Sequence, residues 1–152
     1  MKPITKFISQ QLCMLFILAC QESKSTSQTK IFSKYLSYFK RELKNDYTYV
    51  LIPSNVCKGC SNNAANRIIQ LTNQYHLNNV IFICANKLYA KDLYNKECIY
   101  DTLGKMEVMN LELGNLNIIH IKSNQIESNI EITNANLHLV DSLFSGKIKP
   151  PY

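Results

Sequence analysis

Apolar residues recur along this chain in three different rhythms. Ile31, Tyr35, Phe39 and Leu43 return every four residues, and this spacing predicts a helix over 31–44, with Thr29 as its cap and Asn45-Asp46 as its end. Tyr47-Thr48-Tyr49-Val50-Leu51-Ile52 is β-branched and aromatic throughout and reads as a buried strand, stopped by Pro53, which has no N–H for a ladder. From Cys57 to Tyr75 the period returns to three and four, with Ala64, Ala65, Ile68, Leu71, Thr72 and Tyr75 inward. Val80-Ile81-Phe82-Ile83-Cys84 is continuously apolar, as in a strand covered on both faces. Strand, helix and strand at this spacing form a βαβ unit with parallel strands and a right-handed crossover.

The pattern weakens afterwards. A short helix with Leu88, Tyr89 and Leu93 inward is expected within 86–95, and Cys98-Ile99-Tyr100-Asp101 suggests a small strand. Gly104 to Gly114 is ambiguous. The runs 117–122 and 126–132 flank Ser123-Asn124-Gln125, and the second alternates apolar with polar residues, so they read as a hairpin with one exposed face. Asn134 to Phe144 suggests a closing helix, ended at Gly146 before Pro150-Pro151.

The first residues follow a different logic. Lys2 and Lys6, then the apolar run Leu12 to Leu18, then Ala19-Cys20, make the charged, apolar and small-residue regions of a secretory signal. Ile17-Leu18-Ala19-Cys20 resembles the lipobox of bacterial lipoproteins, which implies that Cys20 is acylated and becomes the mature N-terminus. The polar stretch Gln21 to Gln28 then reads as a flexible tether. The expected organisation is a signal peptide at 1–19, a lipidated tether at 20–29 and one domain at 30–152.

Charge alters this picture little. The chain of 152 residues has a formal charge of +6, from 17 Lys and Arg against 11 Asp and Glu. Loss of Lys2 and Lys6 with the signal leaves about +4, densest around Lys40, Arg41 and Lys44. No alternation of aromatic and basic residues marks a nucleic-acid groove, so no nucleic-acid partner is expected.

The cysteines carry the candidate chemistry. Of six, Cys13 leaves with the signal and Cys20 is assigned to lipid, so Cys57, Cys60, Cys84 and Cys98 remain and allow three pairings. The simplest arrangement is a redox-active Cys57–Cys60 pair, with Cys84 and Cys98 bridged or buried. Cys57-Lys58-Gly59-Cys60 lies at a strand-to-helix junction, where unpaired N–H groups and the helix dipole lower a thiol pKa.

Helix, strand, CxxC-helix, strand, helix, hairpin, helix is an order that resembles the thioredoxin-like fold. The region from Tyr47 to Phe144 is similar to membrane-tethered thioredoxin-like proteins of the bacterial envelope, and the Asn- and Lys-rich composition with a lipobox looks like small Bacteroidetes lipoproteins. The resemblance implies an α/β three-layer sandwich, with a central mixed sheet of about four strands and flanking helices. It implies thiol–disulfide exchange with Cys57 as nucleophile and Cys60 as resolving thiol, without a dissociable cofactor or metal. Partners would be thiols or disulfides of envelope proteins, with the chain periplasm-facing and held to the membrane through Cys20. Two departures stand out. Val56 replaces the usual tryptophan, and no proline occurs between Pro53 and Pro150, so Leu116 or Asn117 occupies the place of the family's cis-proline.

Those departures favour a second expectation, a non-catalytic thioredoxin-like lipoprotein that binds a partner. A Cys₄ zinc site lacks a second CxxC knuckle. A soft-metal site would require His120 near the thiols, against the commoner solvent-facing strand histidine. His76 and His138 read as surface residues.

Overall fold

The computed structural model describes residues 25–54, 58–85, 93, 96–109 and 115–145, the side chains of 58–62 excepted. Within them the chain forms a mixed α/β structure. Its elements are a helix over 25–37 (α1), β1 (Thr48–Ile52), α2 (Lys58–Gln74), β2 (Val80–Cys84), β3 (Glu97–Tyr100), α3 (Lys105–Val108), β4 (Leu116–Lys122), β5 (Gln125–Ile132), a 3₁₀ turn (Asn134–Asn136) and α4 (His138–Phe144).

The strands form one sheet in the order β3-β2-β1-β4-β5. β1, β2 and β3 run parallel, whereas β4 is antiparallel to β1 and β5 to β4. About four strands were expected, and the sheet has five. The small strand anticipated at 98–101 is present as β3, a four-residue edge strand in which only Ile99 is fully buried.

Alternation along each strand feeds two cores. On one face Val50, Ile52, Phe82, Cys84, Leu116 and Ile118 pack beneath α2 and α4. On the other, Tyr49, Leu51, Ile81, Ile83, Ile99 and Ile119 meet Phe32, Tyr35 and Leu36 of α1 and Met106 of α3. β1 and β2 are therefore sealed on both sides, as their unbroken apolar runs require.

The helices depart from their expected ends. α1 stops at 37, not 44, because Lys40 takes a left-handed conformation (φ 55°) and closes a Schellman turn, Lys40 N–H to Ser37 O and Arg41 N–H to Leu36 O. Phe39 and Leu43 still reach the core from non-helical backbone, so the four-residue spacing ran on past the helix. At the other end α1 includes 25–29, expected to belong to the flexible tether. Thr29 is inside the helix: its Oγ1 donates to Ser25 O (2.8 Å) and accepts from Ile126 N (2.9 Å), while Ser25 Oγ donates to Ile126 O (2.8 Å). α2 ends like α1, with His76 left-handed (φ 50°) and Leu77 N–H bonded to Thr72 O. Tyr75, expected inward, lies in that turn and is exposed.

The hairpin forms as expected, around Ser123 and Asn124, both at positive φ as a two-residue type I′ turn requires. A register shift follows, since His120 pairs with Ser128 but Ile121 with Ile126. The extra residue, Glu127, turns Ile126 toward α1 while Ile130 and Ile132 face α2 and α4. Both faces of the hairpin therefore hold apolar side chains, in place of the one exposed face that the alternation implied. The expected closing helix divides into the 3₁₀ turn and α4.

Candidate functional site: the thiols at one end of the sheet

In a parallel β-α-β unit the helix starts at the carboxyl end of its first strand. α2 begins at Lys58, with five residues between it and the end of β1, which puts Cys60 in its first turn. Cys57 and the side chain of Cys60 lie outside the described residues, as does Cys20 with the expected signal and lipidation site. Pro53 and Ser54 lead out of β1, and Ser54 Oγ donates to Glu107 Oε1 of α3.

Cys84 reaches the same end by a different route. It is the last residue of β2 and stands opposite Ile52, the last of β1, and Ala85 N–H donates to Ile52 O (3.0 Å). β3 adds Cys98. Its register pairs Phe82 with Cys98 and Cys84 with Tyr100, so the two cysteines are diagonal neighbours on one face. Their sulfurs are 3.8 Å apart, and both are free thiols. Cys84 is buried and Cys98, on the edge strand, is half-buried. The sequence reading left them bridged or buried; they are in contact without a bond.

The pair divides its protons unequally. The hydrogen bond with Cys98 and then burial both push the Cys84 thiol up, so Cys84 keeps its proton. The same hydrogen bond moves Cys98 down, against burial and with help from the Tyr100 hydroxyl. Tyr100 is in turn pushed up to about 12, first by its bond to Cys98 and then by desolvation. Of the two thiols, Cys98 is therefore the one shifted toward its ionised form.

Asp101 follows β3 and is 2% exposed. Its carboxylate accepts from Lys105 N (2.9 Å), Met106 N (2.5 Å) and Tyr35 Oη (3.1 Å), and its own N–H donates to Cys84 O. It starts α3 and ties that helix to α1, a structural task. Burial, then the Asp101 charge, raises the Tyr35 phenol far above its ordinary value.

His120 is at the opposite end. It pairs with Thr48, the first residue of β1, and its Nδ1 lies 3.1 Å from Thr48 Oγ1, with Nε2 3.6 Å from Glu127. Four residues of strand, roughly 13 Å, separate that register from Ile52. Among the described thiols, His120 therefore does not lie beside Cys84. Asn117, at the position discussed for proline, is buried opposite Leu51 and donates through Nδ2 to Asn115 O (2.8 Å). Among the described residues no three His, Cys, Asp or Glu are grouped to hold a metal ion, and no helix is long and apolar enough to cross a membrane.

No protein family, curated protein or solved structure matches this chain. The sequence leaves the Cys84–Cys98 contact open because it depends on the β2–β3 register, and nothing in a four-residue strand specifies a register in advance.

Proposed function

We propose that the chain is an envelope-anchored thiol–disulfide exchange protein of thioredoxin-like type, lipidated at Cys20, with Cys57 as nucleophile and Cys60 as resolving thiol. The observation that carries this reading is the start of α2 at Lys58, one residue after Cys57 and at the carboxyl end of β1. A thiolate there gains from the free N–H groups and positive dipole of a 17-residue helix. It attacks a partner disulfide, and Cys60, three residues on, displaces the partner from the mixed disulfide. The strand order supports the fold assignment. The β1-α2-β2 unit, the β4–β5 hairpin and α4 on the α2 face follow the expected thioredoxin-like succession, with β3 added between β2 and the hairpin.

The test is a redox titration of the full chain in detergent, read by alkylation and peptide mass. A reversible Cys57–Cys60 couple between about −270 and −120 mV is expected. Cys57→Ser should abolish mixed disulfides with envelope proteins, and Cys60→Ser should trap them. A pair fixed below about −300 mV, or one that never closes, would overturn the reading.

A non-catalytic partner-binding module is favoured by a separate observation. Leu103, just before α3, and Val108, its last residue, are 72% and 76% exposed, and Glu107 of the same helix touches Ser54. On that reading Leu103→Ser with Val108→Ser would release an envelope partner, and Cys57→Ser would not.

A further inference from the structure

The Cys84–Cys98 contact is a dithiol that the exchange reading does not use. Both side chains project from adjacent parallel strands to the α2 face, and the sulfurs already touch at 3.8 Å. Closing to a disulfide of about 2.05 Å moves them less than 2 Å. The strand that must give is β3, which is paired on one side only. Accessibility is graded across the pair, since Cys98 is partly open to solvent and Cys84 is sealed beneath the α2 face.

We propose that Cys84 and Cys98 are a second thiol–disulfide couple, oxidised by low-molecular-weight disulfides, with Cys98 the entry thiol and Cys84 the resolving thiol. Ionised Cys98 attacks one sulfur of the small disulfide RSSR, breaks its S–S bond and releases RS⁻, which takes up a proton. Cys84 then gives up its proton and attacks Cys98 Sγ. That step breaks the mixed disulfide, forms the Cys84–Cys98 bond and releases a second RSH. Two electrons pass from the protein dithiol to RSSR, and reduced thiol in excess reverses both steps.

Three features support the order. Cys98, half-buried on the edge strand, is the more open of the two thiols. Tyr100 and Cys84 both face its sulfur and favour its ionised form. Cys84, which holds its proton in the resting pair, lies in contact with the sulfur it must attack. The diagonal register adds a further property. Side chains offset by two residues join only with distortion of the edge strand, so the bridge reopens readily and does not act as a permanent staple.

The experiment uses the full chain in detergent, both native and as the Cys57→Ser/Cys60→Ser double variant, which removes the other pair. Each is exposed to oxidised glutathione, quenched in acid, alkylated and mapped by peptide mass. In both, glutathione should appear first on Cys98, then leave as a Cys84–Cys98 cross-link forms, and excess reduced glutathione should restore both thiols. In Cys84→Ala glutathione should remain on Cys98, and in Cys98→Ala no adduct should form on Cys84. The proposal fails if both thiols stay alkylatable in folded native protein, if the adduct starts on Cys84, or if the bridge forms only in denaturant. It also fails if a disulfide-bearing protein oxidises the pair and glutathione does not. Because the double variant lacks Cys57 and Cys60, failure there leaves any exchange at the CxxC pair unaffected, and the converse holds.

Discussion

Lys40 and His76 each close a helix in the left-handed region, where a side chain costs about 1–2 kcal/mol relative to glycine. Replacing either with glycine should therefore stabilise the fold by about 0.5–1 kcal/mol, after glycine's larger unfolded-state entropy is counted. A rise in the urea midpoint checks this, and a fall would show that the two side chains contribute more than their backbone strain. Tyr35 is the opposite case, a side chain whose polar atom is committed. Removing its hydroxyl in Tyr35→Phe takes a donor from the Asp101 carboxylate and should cost about 1.5–3 kcal/mol. The same phenol carries a pH signature. Its folded pKa is raised above the ordinary 10.0 by burial and by Asp101, so its contribution is complete below that pH. Above it the unfolded chain loses the proton and the native one does not, and stability falls as pH rises. Unfolding midpoints should fall progressively as pH rises above about 10, and less steeply in Tyr35→Phe.

At the scale of elements, α1 is fastened to the sheet by polar atoms as well as by its apolar stripe. β5 is an edge strand, and the outward N–H and C=O of Ile126 are satisfied by Thr29 and Ser25. Thr29→Val keeps shape and removes the acceptor, leaving a buried N–H unpaired. A loss of about 1–3 kcal/mol is expected, with faster amide exchange at Ile126 than at Ile130. This fastening also marks where sequence reading stops. β1, β2 and the hairpin were legible nearly to the residue, because strands sealed on both faces leave unbroken apolar runs and turns leave polar ones. α2 was legible from its three-and-four rhythm. The start of α1 was not, because Ser25 and Thr29 are polar residues used for tertiary hydrogen bonds, and polar composition alone reads as tether. Its end was hidden by the lack of a glycine at Lys40. The thiols divide the same way. Their position along the chain was visible, whereas the meeting of Cys84 with Cys98 required a strand pairing that local pattern does not encode.

Considered whole, the molecule has its sheet organised around β1. Its parallel neighbour β2 is 28 residues or more away through α2, and its antiparallel neighbour β4 comes still later. β4 and β5, by contrast, are joined by two residues. Local pairing of the hairpin is fast, on the order of microseconds, whereas the pairings of β1 must first close long loops. Substitutions in β1, such as Val50→Ala, should therefore slow folding as well as lower stability, by about 1–3 kcal/mol. Substitutions in β3, such as Ile99→Val, should mainly hasten unfolding. Stopped-flow chevrons distinguish the two, and equal effects on both arms would reject a nucleus centred on β1. The edge position of β3 then has a kinetic meaning. A strand paired on one side only should be the last of the parallel half to be secured and the first to be released, and Cys98 rides on it. Brief departures of that strand, too rare to alter the average structure, would set how often the inner sulfur Cys84 meets solvent, so the chemistry of one thiol is timed by the breathing of its neighbour's backbone.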